Sequence, residues 1–154
     1  MAAAPLTPTT VVQYWDSPDN ARAAAAQGAM VVMSPASTSY LDMKYDGSSA
    51  LGLDWAGHIN TRTAYEWDPA TYEPDLPPQS VIGLEAPLWS ETLMTLRDVE
   101  TMLLPRLPGY AEIGWSSPEG RNWDEYQHRL AAQAARWTAS GRTFTRDPVV
   151  AWSG

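Results

Sequence analysis

The chain has 154 residues, 44% of them hydrophobic, which is enough for one domain with a buried core and too apolar for a disordered segment. Its net charge of −8 excludes nucleic acid and anionic membrane surfaces as partners, because an acidic surface repels phosphate. No apolar run reaches the ~20 residues of a membrane span, and the absence of cysteine rules out a disulfide framework or thiolate metal site while leaving the compartment open.

The amino-terminal Met1-Ala2-Ala3-Ala4-Pro5 has no charged segment ahead of an apolar stretch, so it does not read as a signal peptide. Thr10 to Trp15 is a β-branched and aromatic run and predicts a strand that Pro18 stops. A helix should follow, capped by Asp16 or Ser17, with Pro18 in its first turn and alanines running to Gly28. Ala29 to Ser34 is a continuous apolar run, as expected of a strand buried on both faces of a parallel sheet. Strand, helix and strand at this spacing make a right-handed βαβ unit.

From Pro35 to about Gln79 the sequence is rich in Gly, Pro, Asp, Tyr and Trp and predicts a long irregular segment of the kind that usually carries function. Ser80 to Leu84 is a third strand and leads into Glu85-Ala86-Pro87-Leu88-Trp89. Helical character runs from Leu96 to Tyr110, broken at Pro105 and Pro108, and resumes through Trp115. The last helix begins at Asn122 or Trp123 and ends at Ser140. Asn122 is its cap, Asp124 and Glu125 sit in its positive first turn, and Gly141 stops it. Leu130, Ala134 and Trp137 recur at helical spacing and should face the core. No internal repeat is present.

Three strands in βα order fit an α/β fold, either the last part of a (β/α)₈ barrel or a small doubly wound sheet; a complete barrel needs about 250 residues. In either architecture the carboxyl ends of the strands share one face, where loops build the active site. Trp15 ends the first strand. Tyr40, Asp42 and Lys44 follow the second, and Glu85, Trp89 and Glu91 follow the third. Flat rings that stack on sugars, beside carboxylates that accept hydroxyl hydrogen bonds, make a pyranose site. The 8 Trp and 7 Tyr against one Phe favour this reading as a group, although core packing is the better account of any single Trp.

The motifs carry the argument further. Val11-Val12-Gln13-Tyr14-Trp15, Ser34-Pro35-Ala36-Ser37, Tyr40-Leu41-Asp42-Met43-Lys44-Tyr45 and Leu51-Gly52-Leu53-Asp54-Trp55-Ala56-Gly57 occur in that order. Tyr65-Glu66-Trp67-Asp68-Pro69, Glu85 to Thr92, Pro105-Arg106-Leu107 and Ala111-Glu112-Ile113-Gly114-Trp115 follow them. In order and spacing the set resembles the β-N-acetylhexosaminidases of glycoside hydrolase family 20, across nearly the whole of residues 1–154.

The resemblance implies a partial TIM barrel, with the three strands as the sixth, seventh and eighth, forming the carboxyl-terminal portion of the catalytic domain. It also implies release of terminal N-acetylglucosamine or N-acetylgalactosamine by a retaining, substrate-assisted route without a cofactor. The acetamido oxygen of the sugar attacks its own anomeric carbon to give an oxazolinium, so no carboxylate of the enzyme is the nucleophile. By resemblance, Tyr40 orients the acetamido oxygen, Trp15 and Trp89 wall the pocket, and Asp42 and Glu91 accept hydrogen bonds from ring hydroxyls. Trp55 is equally open to two readings, the aglycone side of the cleft or core packing. Glu85 is expected to be a buried carboxylate with a structural partner, and Lys44 to pair with a local acid. His58 and His128 read as structural and have no third ligand nearby, so a zinc site is not expected.

The family's catalytic Asp-Glu pair, at the end of the fourth strand, has no counterpart here. Asp124-Glu125 sits at a helix start and reads as a complement to the helix dipole. An early-barrel Arg and a fifth-strand Trp are missing as well. The isolated chain is therefore expected to have negligible hydrolase activity. Its two open sheet edges predict instability, self-association or pairing with a separate amino-terminal half-barrel. Two alternatives remain: a non-catalytic carbohydrate-binding module, and an inactive gene remnant.

Overall fold

The computed structural model describes residues 5–152, so the leader reading of Met1 to Ala4 lies outside it. Strands β1 (Val11–Tyr14), β2 (Met30–Met33) and β3 (Val81–Leu84) form one parallel sheet in the order β1-β2-β3. Helix α1 (Pro18–Ala26) crosses from β1 to β2. Ser17 is its cap, accepting a hydrogen bond from the Asn20 backbone N–H, and Pro18 occupies its first turn. Gly28, at φ 90°, then makes the turn into β2 in a conformation that a side chain would strain.

Register sorts the sheet's two faces. Val12 pairs with Val31 and Tyr14 with Met33, and these residues join Ala21 of α1 and Ile113 in the main core. Val11, Gln13, Met30 and Val32 point to the other side, where Val11 is exposed and Met30 and Val32 are half-buried. The expectation that β2 is buried on both faces is thus corrected. Helices cover one face only, and among the described residues nothing packs over the second.

The segment from Pro35 to Gln79 is less irregular than its composition suggests. It holds α2 (Ala36–Ser39), α3 (Thr61–Tyr65) and the start of a 3₁₀ turn over Pro78–Ser80, which moves Ser80 out of the strand. Gly and Pro enrichment hid these short helices, because each is too brief to show an apolar period. Leu41, Met43 and Ile59 from this segment are completely enclosed in the core.

Helices α4 (Leu96–Leu103) and α5 (Leu107–Trp115) follow β3. Thr95 and Asp98 form a reciprocal capping box at the start of α4. Pro108 does not break a helix, as expected from sequence, but sits in the first turn of α5, where its missing N–H costs nothing. Helix α6 (Trp123–Ala139), capped by Asn122, buries Leu130 and Ala134 and half-buries Trp137. Its Tyr126 stacks on Tyr65 of α3 at 4.0 Å between ring centroids, which ties the last helix to the long segment.

Candidate active site

The site forms where the three strands end. Backbone hydrogen bonds fix the loops there: Ala36 N–H donates to the Trp15 carbonyl, Leu41 N–H to that of Pro87, and Glu85 N–H to that of Met33. The stretch after α2 is then clamped by a parallel bridge between Met43 and Leu53, with Leu53 N–H donating to the Asp42 carbonyl at 2.8 Å. That bridge folds the loop of residues 46–57 back, and Trp55 from this loop meets Tyr40. Gly52 N–H donates to Thr92 Oγ1 at 2.9 Å, joining this loop to the one that bears Trp89 and Glu91.

The result is a cleft of about 460 Å³ lined by Gln13, Trp15, Tyr40, Asp42, Trp55, Trp89 and Glu91. All six residues singled out from sequence line this one cleft. Trp15, Trp55 and Trp89 are each about half exposed, so their ring faces are available to a ligand; this removes the core-packing reading of Trp55. Tyr40 lies at the base, nearly buried, with Trp55 edge-on at 5.9 Å and Trp89 tilted at 6.5 Å. Burial pushes its phenol pKa up, with Asp42 and Glu85 adding to the effect, so Tyr40 keeps its proton and remains a donor at neutral pH.

Asp42 is 2% exposed, and its Oδ1 has no hydrogen-bond partner among the described residues. Burial raises its pKa. The negative charge of Glu91 adds to the rise, while the backbone N–H groups of Asp42 and Trp89 and the Arg106 cation oppose it. Asp42 lines the cleft wall while this Oδ1 is itself enclosed. Glu91, by contrast, is exposed at the rim.

Sequence reasoning missed Gln13, whose Nε2 donates to Glu85 Oε2 at 2.6 Å. The alternation of β1 held the signal, since Gln13 shares a face with Val11 rather than with Tyr14. Glu85 has the partner expected of it but is exposed, not buried, because its side chain emerges on the uncovered side of the sheet. Lys44 pairs with Asp54 at 3.2 Å, as the local-acid reading predicts. His58 and His128 are exposed and outside the cleft, and Asp124 and Glu125 lie in the first turn of α6, where Glu125 pairs with Arg129.

A parallel α/β sheet whose strand-end loops gather rings and carboxylates into one cleft defines an α/β catalytic-domain architecture. The profile described as "Glycosyl hydrolase family 20, catalytic domain" matches residues 2–118, and the chain belongs to that family. Over its whole length it is 50% identical to a β-N-acetylhexosaminidase from Cellulomonas fimi, of which it covers 32%. The GH20 β-N-acetylhexosaminidase of Streptomyces coelicolor A3(2) superposes with a TM-score of 0.91 at 45% identity, covering 96% of this chain and 31% of that one. The N-acetyl-β-hexosaminidase of Streptomyces plicatus, solved in complex with Thio-NAglucal, gives a TM-score of 0.90 at 45% identity over 93% of this chain and 30% of that one. The chain thus spans about a third of the length of these relatives.

Proposed function

We propose that this chain supplies one wall of the N-acetylhexosamine site of a retaining β-N-acetylhexosaminidase, its strands occupying positions six to eight of a (β/α)₈ barrel. The carrying observation is the convergence of Trp15, Tyr40, Asp42, Trp55, Trp89 and Glu91 on one cleft at the strand ends. Further support comes from the Streptomyces plicatus relative, whose structures include complexes with N-acetylglucosamine. In this reading Trp15 and Trp89 enclose the acetamide and the sugar ring. The Tyr40 phenol donates to the acetamido oxygen and aligns it on the anomeric carbon, while Asp42 and Glu91 accept from ring hydroxyls and Trp55 borders the aglycone. Attack by the acetamido oxygen forms its bond to the anomeric carbon as the bond to the leaving oxygen breaks. A general acid protonates that leaving oxygen, and water then opens the oxazolinium with retention.

The general acid belongs, in this proposal, to protein outside these 154 residues. The uncovered sheet face supports the same view. Val11 and Ile82 stand exposed on the two edge strands, and apolar edge strands of this kind fit against further β/α units or a second copy. A second reading, sugar binding without turnover, is favoured by one observation: the carboxylates lining the cleft, Asp42 and Glu91, are not a sequence-adjacent Asp-Glu dipeptide.

The test mixes the chain with a separately produced polypeptide carrying the remaining barrel units and the family's Asp-Glu strand end, using a chromogenic N-acetylglucosaminide. Turnover in the mixture but not with either part alone is expected. Turnover by the chain alone, above that of a Glu91→Ala control, contradicts the assignment of the acid to other protein. Sugar binding with no turnover in the mixture supports the second reading.

A further inference from the structure

Arg106 belongs to a motif that the sugar site does not use, yet it is fully enclosed. Its guanidinium makes no ion pair with a carboxylate among the described residues. Instead Nη1 donates to the carbonyls of Met43 (2.8 Å) and Ile59 (2.9 Å), and Nη2 to those of Leu41 (2.6 Å) and Met102 (2.8 Å). The cation lies 3.8 Å from the centroid of the Tyr45 ring, whose hydroxyl donates to the Leu104 carbonyl at 2.9 Å. Burying an unpaired charge is costly, and a neutral side chain would fill the space without that cost. A planar fork that reaches several carbonyls at once is the one thing Arg offers that an apolar residue, or Lys, does not.

The carbonyls it holds are informative. Leu41 and Met43 are the residues on either side of Asp42, and Ile59 closes the loop that carries Trp55. Gly52 approaches the same backbone closely. A Cβ at Gly52 would lie 2.7 Å from the Asp42 carbonyl oxygen and 2.7 Å from Met102 Cε.

We propose that Arg106 is a positioning residue for the sugar site, aiming the Asp42 carboxylate into the cleft by clamping the backbone on both sides of it. The proposal rests on the sugar-site reading for its consequence, but the clamp itself can be measured without a sugar. Neither Arg106 nor the residues whose carbonyls it holds line the cleft, and Asp42 is the cleft residue held on both sides, so the main effect on a ligand is assigned to Asp42.

Arg106→Lys and Arg106→Met are made in the full chain, alone and combined with Asp42→Asn. Two quantities are followed: amide hydrogen exchange, and N-acetylglucosamine affinity by Trp fluorescence. The amides of Leu41, Leu53 and Ile59, bonded to Pro87, Asp42 and Lys44 respectively, should exchange faster in both variants while those of α6 do not change. Affinity should fall about tenfold in each single variant, the scale of coupling between residues that act through one another, and Lys should not restore it. In the Asp42→Asn background the Arg106 change should cause no further loss.

Equal losses in both backgrounds would overturn the proposal, as would exchange that quickens across α6 and the sheet alike. Loss of cooperative folding in the Lys variant as well would make Arg106 a general core element and overturn it too. If the unmodified chain binds no N-acetylglucosamine, the sugar-site reading fails. Localised exchange at Leu41, Leu53 and Ile59 then still upholds the clamp, and unchanged exchange there refutes it.

Discussion

Replacing Asp42 by Asn should make the chain more stable and a poorer sugar binder. The carboxylate is 2% exposed, one oxygen has no partner among the described residues, and burial raises its pKa above the ordinary 3.8. A raised carboxyl pKa means that the folded chain binds this proton more tightly than the unfolded chain. The corresponding stability is present below about 3.8 and is lost as pH rises through the folded value, so at neutral pH the charged Asp42 weighs against folding. Asn has nearly the same shape and leaves the same position without a partner but carries no charge, so Asp42→Asn should raise stability at pH 7 by removing the cost of a buried charge alone. The nearby Arg106 cation, which favours the charged form, keeps the gain small. Urea unfolding from pH 3 to pH 8 reads this directly: the two proteins should converge in acid and separate as pH rises. Affinity for N-acetylglucosamine should fall at least about tenfold at pH 7, since a hydrogen bond to a charged acceptor contributes roughly 1.5–3 kcal/mol. A variant less stable than its parent at pH 7, or a stability difference that does not vary with pH, would refute the reasoning.

Gly52→Ala should destabilise the chain by about 2 kcal/mol, because its φ of 94° and the 2.7 Å approach to the Asp42 carbonyl leave no room for a methyl group. Thermal melting checks the size, and a neutral effect would mean that the loop relaxes freely. Glu112→Gln should cost about 0.5–1 kcal/mol at pH 7, a small figure because its partner Arg129 is half exposed. Arg129 and the Tyr65 hydroxyl hold the Glu112 carboxyl below its ordinary 4.5. That contribution is present above 4.5 and disappears as pH falls through the folded value, so denaturation curves of variant and parent should merge in acid and stay apart at neutral pH.

Much of this architecture was legible because local chemistry and global fold agree. Ser17, Pro18 and Gly28 bracket α1, Asn122 and Gly141 bracket α6, and β-branched runs mark β1 and β2. The cleft residues were legible for another reason: the carboxyl ends of parallel strands share one face, so order along the chain places Trp15, Tyr40 and Trp89 together. What escaped depends on contacts that leave no side-chain signature. Arg106 between two prolines resembles a surface cation, since its partners are backbone carbonyls that any sequence supplies. Gln13 gains its role from Glu85, 72 residues away. The single-sided burial of β2 also lay outside sequence reasoning, because an apolar strand has the same composition whether or not its second face is covered.

The central claim is that the cleft bounded by Trp15, Tyr40, Asp42, Trp55, Trp89 and Glu91 receives an N-acetylhexosamine. It is tested most directly by titrating ¹⁵N-indole-labelled chain with N-acetylglucosamine, and with glucose, which lacks the acetamide. Saturable shifts of the Trp15, Trp55 and Trp89 indoles are predicted, with the buried Trp67 and Trp123 unmoved and glucose far weaker. Indoles that stay in place, or that respond to glucose and N-acetylglucosamine alike, would contradict it.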